Sequence, residues 1–292
     1  MQLDKTRIAI RERELLEIYD LALVVMRVYW WKIVQAIAIT AIPLTFLNAA
    51  LLWSMEPDLV VDDTAGAFLV YMCCLIFLEA PLAGLPITML LGDALFHDKP
   101  DWRRMASGLW PVVPRVFWIV AVLRAILPGM GLALIASFEE DPVAGTFLFF
   151  ACCYAGILRG VRPYISEILV LERNPVFSKN KDAITVGRRS SALHQPNFGD
   201  LIIRAMAAGA FSVLLTTSVV MNVFGLRGFV FGEWNWNDMF LFIWFPCALW
   251  LVVAFMTVVR FLCYLDLRIR REGWEVELVL RAEASRMKEV AG

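Results

Sequence analysis

Glu79 and Arg124 are the residues most able to do chemistry in this chain, because each stands inside a long run of apolar neighbours. An ionisable side chain at the centre of a bilayer costs about 3 kcal/mol or more, so it is kept where it is paired or used. Glu79 lies beside Pro81, and Arg124 lies four residues before Pro128. Proline lacks an N–H and frees the carbonyl four residues earlier, which allows a kink next to each charge. Counted from the ends of their runs, the two side chains reach similar depth, and they are expected to form an ion pair. Such a pair suits a substrate gate or a proton relay. It equally suits a structural pin between neighbouring helices.

A second group of charges gathers where apolar runs end. Arg159, Arg162 and Glu167 surround Pro163, and Arg268, Arg270 and Arg271 lie in the segment Tyr264-Leu-Asp-Leu-Arg-Ile-Arg-Arg-Glu-Gly273. Arginines at such positions snorkel toward phosphate groups. Asp266 and Arg270, four residues apart on one helix, are expected to pair and to leave Arg268 and Arg271 for other contacts. Arg159, Arg162, Arg268, Arg270 and Arg271 are therefore candidates for contact with anionic phospholipid headgroups or with a protein partner. The plainer reading of the last cluster is a stop-transfer signal that fixes topology.

Recognised catalytic arrangements are missing. The sequence has no Gly-x-Ser-x-Gly, no His-Glu-x-x-His and no Walker lysine after a glycine run. Its two histidines, His97 and His194, are far apart, and its six cysteines sit in apolar stretches without metal-ligand spacing. No catalytic, cofactor-binding or metal-binding residue is assigned, and no cofactor is expected. The net charge of −1 gives no global basic surface for nucleic acid.

The elements that position these residues are expected to be transmembrane helices. Hydrophobic residues make up 60% of the 292, and mean hydropathy is +0.67, whereas soluble domains have about 45–50% apolar residues. A hydrocarbon core about 30 Å thick takes roughly 20 helical residues. Six runs are long enough: 33–54, 66–92, 116–137, 143–162, 201–224 and 239–264. Lipid offers no partner to an open backbone and the runs do not alternate as barrel strands do, so the fold class is all-α, polytopic, with six transmembrane helices.

Lysine and arginine fix the expected orientation. All but Arg124 and Arg227 of the 27 fall in the N-terminal segment, the second loop, the fourth loop and the C-terminal segment, or at span ends beside them. The positive-inside rule therefore puts both termini in the cytoplasm, and the expected location is a bacterial inner membrane. The charged residues after Met1 leave no removable targeting segment, so the first span is expected to act as its own insertion signal.

Amphipathic interfacial helices are expected at three places. In the N-terminal one, Leu15, Leu16, Tyr19, Leu23, Met26 and Trp30 recur at three- and four-residue intervals. The second, Asp101 to Pro114, sets Trp102, Met105, Leu109 and Trp110 against Arg103 and Arg104. The third is the C-terminal segment, with a break at Gly273. The expected organisation is 1–32 for the N-terminal helix, 33–264 for the transmembrane domain and 265–292 for the C-terminal segment.

Laid end to end, several pieces resemble the membrane domain of bacterial glycerophosphoryl diester phosphodiesterases and related stand-alone multi-pass proteins. They are Glu14-Leu-Leu-Glu-Ile-Tyr-Asp-Leu-Ala22 leading through Trp30-Trp31 to Pro43, Leu171-Glu-Arg-Asn-Pro175 with Ala183 and Arg188-Arg-Ser-Ser191, and Tyr264 to Gly273. The resemblance implies architecture. In the two-domain enzymes the phosphodiester chemistry belongs to a separate soluble barrel, which this sequence does not contain, so phosphodiesterase activity is not expected. The expected function is that of a non-enzymatic scaffold, anchor or accessory subunit at the inner leaflet. The alternatives are a transporter or channel using Glu79 and Arg124, and a lipid-handling membrane enzyme.

Overall fold

The computed structural model describes residues 14–53, 62–96, 112–124, 126–139, 142–176, 184–232, 234 and 236–272. Among them the ordered elements are helical throughout. The expected second-loop helix, His97, Lys179, Lys181 and everything after Glu272 fall largely or wholly outside the described residues.

Among the described residues ten α-helices follow in order. They are α1 (Leu15–Leu51), α2 (Asp62–Ala83), α3 (Leu85–Phe96), α4 (Val113–Val116), α5 (Ile126–Glu139), α6 (Pro142–Val161), α7 (Ile165–Glu167), α8 (Val186–His194), α9 (Phe198–Phe231) and α10 (Phe245–Glu272). Three π-helical stretches adjoin them, Phe117–Val122 after α4, Ile168–Glu172 after α7 and Phe240–Trp244 before α10.

Among the described residues, four helices or joined helices are long and apolar enough to cross a membrane: Leu15–Leu51, Gly66–Leu95, Val186–Phe231 and Phe240–Arg271. A fifth arises if Val113–Val122 and Ile126–Ile135, bent by 50°, count as one span. The bend sits at Arg124, where Pro128 cannot donate to the Arg124 carbonyl. Gly145–Val161 is apolar but shorter.

α1 joins two helical stretches across a kink at Tyr29 (φ −107°, ψ 15°), three residues before the boundary expected between the N-terminal helix and the first span. Its protein-facing side differs from the expected apolar stripe. Ile18, Tyr19, Ala22, Val25 and Met26 are buried, while Leu16, Leu23 and Trp30 are exposed. The periodicity marked residues suited to lipid as well as residues suited to the core, and hydropathy does not separate the two.

α10 forms the centre. It packs against α1, α9, α2 and α3, and its length from Ala248 to Ile269 is largely buried. Close approach to α2–α3 depends on Gly84, because a Cβ there would lie 2.7 Å from Thr257 Oγ1. α9 is the opposite case, with Ile203, Met206, Leu214, Leu226 and Phe229 all exposed. Such faces suit a membrane-embedded protein. Gly232 (φ +72°) ends α9 in the left-handed conformation, which glycine adopts without a Cβ penalty, and its N–H donates to the Gly228 carbonyl at 3.0 Å.

α1 is joined to its neighbours by polar contacts along one side. Thr40 Oγ1 donates to the Ala83 carbonyl (3.0 Å), Trp250 Nε1 donates to Thr45 Oγ1 (2.8 Å), and Asn48 Nδ2 donates to Glu79 Oε2 (2.8 Å). Between apolar helices in lipid, burial gives little specificity, and contacts of this kind set the register.

Candidate functional site: a carboxylate and arginine network at the basic end

The chain turns sharply after α6 at Arg162-Pro163-Tyr164, where proline cannot continue the helix hydrogen bonding. It then runs as α7 and a π-helical stretch that ends at Arg173, the one non-glycine residue with positive φ among the described residues (54°). The π-stretch is bracketed by two carboxylates, Glu167 and Glu172. Both meet one side of α10, where Arg260, Tyr264 and Arg268 recur at intervals of four.

Glu167 is fully buried, and its Oε1 accepts from Arg260 Nε at 2.7 Å. Glu172 gathers more. It accepts from Arg189 Nε (2.6 Å) and Nη2 (3.0 Å), from the Tyr264 hydroxyl (2.7 Å) and from Asn174 Nδ2 (3.0 Å). Arg268 Nη1 lies 4.0 Å away. Burial pushes the Glu172 carboxyl upward, but the hydrogen bonds from Arg189 and Tyr264 and the charges of Arg189 and Arg268 outweigh it and hold the group below the usual carboxylate range.

A third carboxylate, Asp266, points to α9. It meets Arg204 Nη1 at 3.3 Å and Arg270 Nη2 at 2.9 Å, and Arg204 also meets Asp200 at 2.9 Å. Between these residues lies a recess of about 10 Å³, the scale of a single water, lined by Tyr164, Arg204, Asp266 and Arg270 among others. Next to Arg270, Arg271 Nη2 donates to Asn197 Oδ1 at 2.7 Å.

α8 completes the arrangement. Thr185 caps it by accepting from the Arg188 N–H (3.4 Å). The buried His194 takes the Tyr164 N–H on Nε2 (3.4 Å), and its Nδ1 faces the Ser190 carbonyl at 2.7 Å. Those partners suit a neutral ring with its proton on Nδ1. Tyr164 stacks on the ring at 5.6 Å.

The site residues named from sequence are placed as follows. Asp266 and Arg270 do pair. Glu79 and Arg124 do not: Glu79 is bonded to Asn48, and Arg124 Nη2 donates to the Arg162 carbonyl at 2.7 Å. The 50° bend at Arg124 carries its side chain toward the turn after α6, and matching depth along two helices does not by itself bring their faces together. Arg268 and Arg271, expected to stay available for headgroups, have partners inside the protein. Arg159 does not snorkel outward either. It stands over the Phe77 ring and donates to the Phe77 and Leu78 carbonyls, the latter at 3.0 Å. Phe77 O is the acceptor that Pro81, four residues later, leaves without a helical donor. Arg162 is exposed.

Sequence reasoning missed Asn48, Glu172, Arg189, Arg204, Arg260 and Tyr264 as site residues. Asn48 carried a signal, being a lone amide inside an apolar run. Glu172, Arg189 and Tyr264 stand in three short pieces far apart in sequence, and the fold brings them into one hydrogen-bonded group. No three histidine, cysteine or acidic side chains are grouped to hold a metal ion among the described residues. Comparison with protein-family models, with curated proteins and with solved structures returned no match.

Proposed function

We propose that the chain is a multi-pass protein of the bacterial inner membrane that acts as a non-enzymatic scaffold, anchor or accessory subunit at the inner leaflet. In this reading α6 is a sixth span, and both termini are cytoplasmic. The observation that carries it is the group around Glu172, where a loop residue, α8 and the end of α10 converge on one carboxylate. Every donor there is committed to the protein itself, which suits a fixed platform better than an open catalytic or transport site. Kinship with the membrane domain of glycerophosphoryl diester phosphodiesterases is proposed on the same residues, without the enzymatic activity. Partners in this reading are anionic phospholipid headgroups, met by Arg162, and a protein held at the basic face.

The test is reconstitution in liposomes together with native mass spectrometry from mild detergent. The reading expects retained anionic phospholipid, diminished by R162Q without loss of folding, and no solute flux. Flux that disappears in E79Q would replace it with the transporter reading. Turnover of a lipid or glycerophosphodiester would replace it with the enzyme reading. Orientation is tested by a cysteine introduced at Ser178, which should label from the cytoplasmic side alone.

A further inference from the structure

Glu79 and Asn48 are both fully buried, and one hydrogen bond joins them, from Asn48 Nδ2 to Glu79 Oε2 at 2.8 Å. Each group has one further oxygen, Asn48 Oδ1 and Glu79 Oε1, and each of these is buried without a partner. Two acceptors therefore stand on two joined planar groups with no donor between them. A buried acceptor left this way is costly, and an ionised carboxylate in lipid without a cation is costlier still.

Among the described residues, no cation is placed to compensate Glu79. Three arginines on or beside the elements packed around α2, Arg159 of α6, Arg124 at the bend before α5 and Arg260 of α10, each have another partner. Arg159 is bonded to the Phe77 and Leu78 carbonyls, Arg124 to the Arg162 carbonyl and Arg260 to Glu167. The α1 residue that meets Glu79 is the uncharged Asn48.

We infer that Glu79 is a neutral carboxylic acid whose Oε1–H donates to Asn48 Oδ1, so that α1 and α2 are joined by a two-hydrogen-bond acid–amide ring that holds one proton within the membrane. A single proton, taken from water before the helices pack, satisfies both orphaned oxygens and removes the charge. The carboxylic acid is at once donor and acceptor, and the amide is its complement. The ligand of this site is thus the proton, and the site stands apart from the network at the basic end.

Infrared spectroscopy of the full chain in lipid nanodiscs at neutral pH, with and without ¹³C-labelled glutamate, tests the inference. A protonated-carboxyl C=O band that shifts on labelling, moves in N48A and vanishes in E79Q is expected. The amide introduced by E79Q can form the same two bonds with Asn48, so this variant should fold with wild-type yield. The inference is overturned by absence of that band in the wild type, which would mean an ionised carboxylate bridged by water or by a cation such as sodium. Failure of E79Q to fold would overturn it as well, because a neutral isostere would then not replace the native group.

Discussion

Glu79 and Glu172 are two carboxyls set among apolar helices, and they are satisfied in opposite ways. Glu172, 12% exposed at the end of the bundle, takes a forked guanidinium, a phenol and an amide. Glu79, with no exposure, takes a single amide from the adjacent helix. The difference follows from what each location costs. Near the helix ends arginine can reach a carboxylate while its stem remains packed and water lies close by, so a charged pair is sustainable. At depth a charge is far more expensive, and a neutral partner suffices.

The largest effects should come from removing a charged hub. E172A deletes the acceptor shared by Arg189, Asn174 and Tyr264, and E167A deletes the carboxylate bonded to Arg260. Each should cost about 3–5 kcal/mol, as when one partner of a buried ion pair is deleted. Thermal unfolding in detergent would show it, and a loss below about 1 kcal/mol, the range of exposed pairs, would mean that the charges at this end are solvated after all.

Next in size is a test of whether arginine in this protein also serves bare backbone. R159M should cost about 1–3 kcal/mol by leaving the Phe77 carbonyl unsatisfied. In a P81A background, where residue 81 regains an N–H for Phe77 O, the same replacement should cost less. Equal losses in the two backgrounds would show that Arg159 stabilises by its contact with the Phe77 ring instead. G84A probes packing alone and should cost a similar amount, about 1–3 kcal/mol, by pressing on Thr257, with T257A restoring part of it.

The smallest effect is a titration at the basic end. Glu172 has a folded value below its ordinary one, so its contribution is complete above the ordinary value and is lost as pH falls through the folded one. Acidification should weaken the protein below about pH 4.3 as Glu172 is forced to protonate, and E172Q should remove this step. A melting temperature that rises on acidification across this range would reverse the sign and contradict the geometry.

The apolar runs were legible because lipid constrains composition over about twenty residues at a time. Pairing was not. Sequence spacing correctly joined Asp266 to Arg270, since i and i+4 share a helix face. It failed for Glu79 and Arg124, where the outcome depends on rotation about two helix axes and on the bend at Arg124. Arg268 and Arg271 looked available because their acceptors, Glu172 and Asn197, lie on segments distant in sequence. The convergence of Glu172, Arg189 and Tyr264 likewise needed the turn at Pro163, whose direction residue types alone do not reveal.

The most direct measurement is a paired isosteric exchange. Unfolding of E172Q and E79Q is compared with wild type in the same detergent at neutral pH. Glutamine keeps the shape of each side chain and removes only its capacity for charge. E172Q should lose stability substantially, because an amide cannot match two arginines, while E79Q should unfold as the wild type does. Equal losses, or a greater loss in E79Q, would contradict the distinction between a charged end and a neutral interior.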